Sequence, residues 1–153
     1  VAIYALANDV EGEKMRRALV LSHLTVIYIK QSLGRLSALC GCVVAATGSA
    51  CGITRLMGGG FEEVSGAVKN MVANLTGMIC DGAKPSCSLK VTSGVATAVL
   101  SATLAMNQRV TTPLEGIIEE DVDNCIRNLT EIGRNGMSET DRLILKIMTT
   151  KES

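Results

Sequence analysis

Two thiols flank a helix breaker in Gly77-Met78-Ile79-Cys80-Asp81-Gly82-Ala83-Lys84-Pro85-Ser86-Cys87, with apolar segments before and after. A second dense patch, Leu39-Cys40-Gly41-Cys42, begins an earlier apolar segment. Cysteines at helix ends and loops, rather than spread along core stripes, suit ligands that converge on one inorganic site. A structural zinc site commonly takes two close pairs, with about two to four residues inside each pair. Cys40/Cys42 and Cys80/Cys87 fit that spacing poorly, and no Cys-x-x-Cys pair is present for thiol redox work. Three converging thiolates do fit a 4Fe-4S cluster with one iron left without a protein ligand. Such an iron can polarise a substrate hydroxyl or carboxylate as a Lewis acid. On spacing alone the competing reading is buried or unrelated thiols, because free cysteine is commonly a core residue.

Composition narrows the classes further. The chain has 153 residues, with 15 basic and 15 acidic side chains that cancel, so no global field argues for nucleic acid or an anionic membrane. Only three aromatics occur (Tyr4, Tyr28 and Phe61), so the aromatic platforms of single-strand binders are missing. The length predicts a single domain over 1–153 with an ordinary core, which argues against a disulfide scaffold despite the even six cysteines. Asn74-Leu75-Thr76 and Asn128-Leu129-Thr130 match a glycan acceptor pattern, but both fall inside helical periodicity. Two uncharged runs, 36–54 and 91–108, approach the length of a bilayer span. Both are crowded with Gly, Ser, Thr and Ala and lack flanking tryptophan or basic clusters, which suits central helices of a bundle.

Helices must position the thiols, because apolar residues recur at three and four throughout. The pattern predicts helices over 11–31, 37–57, 62–79, 85–107, a segment opened by the capping box Thr112-Pro113-Leu114-Glu115 and interrupted near Glu120, and a last helix capped by Ser138 to Asp141. That last helix is expected to turn Leu143, Ile144, Ile147 and Met148 inward. Gly34, Gly58-Gly59-Gly60, Asp81-Gly82 and Gly136 read as stops. The triple glycine is no phosphate loop, since no Gly-Lys-Ser/Thr follows. His23 falls on or near the apolar stripe of the first long helix and reads as a buried histidine with a partner. No alternating strand is visible, and the expectation is an all-α bundle of about six helices with small-residue-rich central helices.

Gly34-Arg35-Leu36-Ser37-Ala38-Leu39-Cys40-Gly41-Cys42, Lys69-Asn70-Met71, and Asn74 through Cys87 closely resemble the L-cysteine desulfidase family, relatives of the α chain of iron–sulfur L-serine dehydratases. Glu115-Gly116-Ile117-Ile118 and Asn128-Leu129-Thr130 to Gly136-Met137 extend the likeness over nearly the whole chain. The resemblance implies a cytoplasmic lyase that uses a 4Fe-4S cluster to remove sulfide from L-cysteine, or water from L-serine. It implies Cys40, Cys80 and Cys87 as cluster ligands. Cys42 competes with Cys40 for one position, and Cys40 is preferred for its separation from Cys80. Cys51 and Cys125 match no ligand motif and read as packing residues. Between the implied ligands, Asp81 could hold a substrate ammonium and Lys84 a carboxylate, or both could be plain helix-end and solvated charges. Asn70 and Asn74, four apart on one helical face, could reach the same pocket or serve as interhelical hydrogen-bond partners.

One departure limits the likeness. The family's catalytic base is a cysteine in a Gly-Cys-Thr-Glu-type motif near the N-terminus, and that motif does not occur here. The chain therefore reads as a C-terminal cluster-binding domain, inactive alone and partnered by the N-terminal part of the same protein, with a homo-oligomer allowed. A non-catalytic helical module with buried thiols, and a membrane-embedded helical subunit, are the rival classes.

Overall fold

Apolar spacing of three and four residues becomes seven α-helices in the computed structural model, which describes residues 1–34 and 37–151. They are α1 (Ala2–Ala7), α2 (Gly12–Leu33), α3 (Gly41–Leu56), α4 (Phe61–Leu75), α5 (Cys87–Met106), α6 (Val122–Glu131) and α7 (Ser138–Thr149), with a π-helical turn at Ile132–Gly136. Among the described residues, the one β feature is an isolated antiparallel bridge, Leu39 opposite Ile79. Arg35 and Leu36, part of the first quoted family motif, lie outside the described residues.

The centre is α3. Eleven of its 16 residues are buried, with α2, α4 and α5 packed around it. Small residues permit the crowding: a Cβ at Gly48 would stand 2.5 Å from the Ser22 carbonyl oxygen, and one at Gly52 would stand 2.9 Å from that of Ala18. The buried hydroxyls of Thr47 and Thr54 donate within the helix, to the carbonyls of Val43 and Ala50, each at 2.8 Å. They therefore add no unpaired polar group to the core. α5 is long and apolar enough to cross a bilayer by length and composition. In the fold it buries a stripe of Gly94, Ala98, Ser101, Ala102 and Ala105 in the bundle.

Several expectations are corrected. The 62–79 helix ends at Leu75, because the following residues leave the helix to pair with the 38–40 segment. Pro85 precedes the α5 N-cap, Ser86, instead of opening the helix. Thr112 and Glu115 do make the capping-box contact, with the Thr112 N–H donating to Glu115 Oε1 at 2.8 Å. No helix follows it, since Gly116 turns to φ +56°. α6 starts instead behind Asp121, whose carboxylate accepts from the N–H groups of Asp123 and Asn124. His23 lies on the exposed side of α2. α7 buries none of its residues, and Leu143, Ile147 and Met148 remain 58%, 51% and 45% exposed. Amphipathic periodicity specifies an apolar face but not what that face meets.

Candidate metal centre

The thiol site is built where α3 and α5 both begin. Ser37 fixes the approach: its hydroxyl donates to the Gly133 carbonyl of the π turn and accepts the Leu39 N–H at 3.0 Å. A Cβ at Gly133 would meet Leu33 Cδ1 at 2.5 Å and Leu39 Cβ at 3.1 Å, so only glycine lets the turn press this close. Leu39 then faces Ile79 across the bridge. The Cys40 N–H donates to the Met78 carbonyl at 2.9 Å, and the Cys80 N–H donates to the Ala38 carbonyl at 2.6 Å. Side chains alternate along extended backbone, so Cys40 and Cys80 share the face opposite to Leu39 and Ile79. They are diagonal neighbours across the bridge.

Cys40 is the N-cap of α3 and Cys87 is the first residue of α5. Each sulfur thus sits at the positive end of a helix dipole, where a negatively charged group is favoured. The Cys87 sulfur makes a weak contact with the Gly82 carbonyl at 3.7 Å. Cys42, inside the first turn of α3, donates to the Lys90 backbone carbonyl at 3.1 Å. Burial pushes its thiol up, and the neighbouring Cys40 and Cys87 add to the rise while Lys90 offsets part of it. Four of the six cysteines therefore gather at one end of the bundle. All six are free thiols.

Lys90 is the residue that sequence reasoning missed. It follows Cys87 by one helical turn, and its Nζ donates to the Ile79 carbonyl at 2.8 Å and to Asp81 Oδ1 at 2.6 Å. Asp81 holds its pKa up, and Cys40 and Cys80 are near enough to raise it further. The signal was available, since i and i+3 share a helix face and Cys87 was already a candidate. Asp81 also pairs through Oδ2 with Lys84. Hydrogen bonds from Lys84, and then from Lys90, hold its carboxyl well below the usual carboxylate range. Asp81 and Lys84 line a cavity of about 310 Å³ with Ile144, Ile147, Met148 and Lys151.

The other candidates lie elsewhere. Asn70 is buried and ties α4 to the 109–111 segment. Its amide nitrogen donates to the Arg109 carbonyl at 3.0 Å and more weakly to that of Ser101 at 3.5 Å. Its amide oxygen accepts from the Thr111 N–H and hydroxyl, both at 2.9 Å. All four hydrogen-bonding positions of the amide are thereby taken. Asn74 is exposed on α4. Cys51 is buried against α2, and burial pushes its thiol up to about 11. Cys125 is buried, and its sulfur accepts the Glu119 N–H at 3.2 Å.

Among the described residues, no group of three or more His, Cys, Asp or Glu side chains is arranged to hold a single metal ion. A cluster asks for something different. Its thiolates bind separate irons, so they flank a body instead of meeting at a point. Soft thiolates at two helix N-termini beside an ammonium fit such a group by donor chemistry.

A family model described as serine dehydratase alpha chain matches residues 1–146. A UPF0597 protein of Bacteroides fragilis is 70% identical over 151 residues, covering 99% of this chain and 35% of the relative. One from Bacteroides thetaiotaomicron is 69% identical with the same coverage, and one from Oleidesulfovibrio alaskensis is 50% identical over 99% of this chain and 36% of the relative. The chain thus spans about a third of the length of the curated relatives it matches. No solved structure matches it.

Proposed function

The chain belongs to the serine dehydratase alpha chain family, and from that membership we propose that it is the cluster-binding part of a cytoplasmic lyase acting on a small β-substituted amino acid. The finer assignment is L-cysteine desulfidase: L-cysteine and water give pyruvate, ammonia and hydrogen sulfide. With L-serine the products are pyruvate and ammonia. The observation that carries this reading is the Leu39–Ile79 bridge, which brings Cys40 beside Cys80 near the first residue of α5, Cys87.

Cys40, Cys80 and Cys87 would hold a 4Fe-4S cluster. What favours Cys40 over Cys42 is its diagonal pairing with Cys80, whereas Cys42 already donates to the Lys90 carbonyl. When bound, the cluster supplies an iron without a protein ligand, a Lewis acid for the departing β-substituent. The chain's own residues bind and orient. Asp81 stays ionised beside its lysines, so a substrate ammonium can replace Lys84 on Oδ2, and Lys84 can then meet the substrate carboxylate. Asn70 takes no part, because its amide is fully engaged by the protein. The group that removes the α-proton is assigned to sequence outside the matched third.

The rival is a non-catalytic helical module whose thiols are packing and hydrogen-bonding groups, as the buried Cys51 and Cys125 are. Anaerobic reconstitution of the chain with ferrous iron and sulfide separates the two. The cluster reading expects about four irons and four sulfides per chain; a chain that takes up neither supports the rival.

A further inference from the structure

We propose that Lys90 is the positioning residue of the thiol site, clasping the irregular segment that carries Cys80 to the helix that begins with Cys87. The proposal rests on the cluster reading for what the thiols hold, and on the hydrogen bonds for how they are held.

Between Leu75 of α4 and Cys87 of α5 the chain makes no regular secondary structure. A connection of this length loses much conformational entropy unless something fixes it. The bridge to Ala38 and Cys40 fixes Met78 and Cys80. Lys90 fixes the residues that bracket Cys80, taking the Ile79 carbonyl with one N–H and the Asp81 carboxylate with another. Its side chain is only 25% exposed, so this contact is better shielded than an ordinary surface ion pair. An ammonium carries three donors, so one remains after these two bonds. Cys40 and Cys80 lie within electrostatic reach of the same charge. The lysine thus performs two tasks. It sets where Cys80 stands relative to Cys87, and it offsets the negative charge that gathered thiolates create. Neither task is needed for the core, which α2 to α6 assemble without it.

Lys90→Met keeps the apolar stem and removes the clasp. In the metal-free chain, amide hydrogen exchange at Cys80, whose N–H is bonded to Ala38, is expected to become about tenfold faster. Lys90→Arg is expected to restore most of the protection. In the loaded chain, Lys90→Met is expected to release iron to a chelator faster and to shift the reduction midpoint to a more negative potential, because a nearby positive charge favours the reduced cluster. Unchanged exchange at Cys80 in a folded Lys90→Met chain would overturn the proposal. If that variant loses its helical circular dichroism, Asp81→Ala, which cuts one contact and spares the other, is measured in the same way. A wild-type chain that bound no iron would defeat the cluster reading while leaving the exchange result to decide the clasp.

Discussion

Asn70 and Cys51 show how residue type alone misleads or informs. Asparagine four residues from another on a helix leading to Cys80 allowed either a substrate contact or an interhelical hydrogen-bond partner, and the bonds of Asn70 to Ser101 and the 109–111 segment favour the second. Asn70→Ala should therefore lower the unfolding free energy by about 2–4 kcal/mol, since it strands several buried partners. Iron uptake by the folded variant should be unchanged. A urea titration with no change in midpoint would contradict this role. Cys51 was legible as packing, and its burial has a pH consequence. Its folded pKa is raised from 9.0 to about 11, so the neutral thiol is the form the fold favours. That contribution is fully present below pH 9 and is lost as pH rises towards about 11. Wild type should lose about 2–3 kcal/mol more than Cys51→Ala across that window. Parallel stability profiles for the two would refute it.

At the scale of elements, the contact of α3 with α5 sets the site. A Cβ at Gly94 would stand 2.7 Å from the Cys42 sulfur and 3.1 Å from Ala46 Cβ. Gly94→Ala should push the two helix starts apart at a net cost of about 1–2 kcal/mol, overpacking outweighing the helix-propensity gain. Adding Cys42→Ala should recover at least half of that, and strictly additive effects in the double-mutant cycle would exclude the contact. Helix identities were legible because the three-and-four periodicity is strong in α4, α6 and α7. The segment 76–80 was not, since a two-residue bridge has no periodicity to read and depends on Ala38 and Cys40, some forty positions away. The 112–121 stretch misled for a local reason: the Thr112–Glu115 contact forms, but the backbone at Gly116 departs from helix.

Across the whole molecule, the all-α architecture followed from pattern, while the surfaces that pattern leaves uncovered did not. α2, α5 and α7 carry Leu24, Ile27, Leu89, Leu100, Leu143 and Leu145 largely exposed. Periodicity cannot say whether such faces meet another helix of the same chain. The thiol types and their clustering were readable from sequence, as was the place of Lys90 one turn from Cys87, but its grip on Ile79 and Asp81 was not, because that contact exists only once α5 lies against the 79–81 segment. The central claim is that Cys40, Cys80 and Cys87 hold one cluster. Its most direct test is anaerobic iron and sulfide content across the six single Cys→Ser variants, each checked for helical circular dichroism. Loss of the cluster in the variants at 40, 80 and 87, with near wild-type content in those at 42, 51 and 125, is the expected result. Full iron content in Cys80→Ser would contradict it.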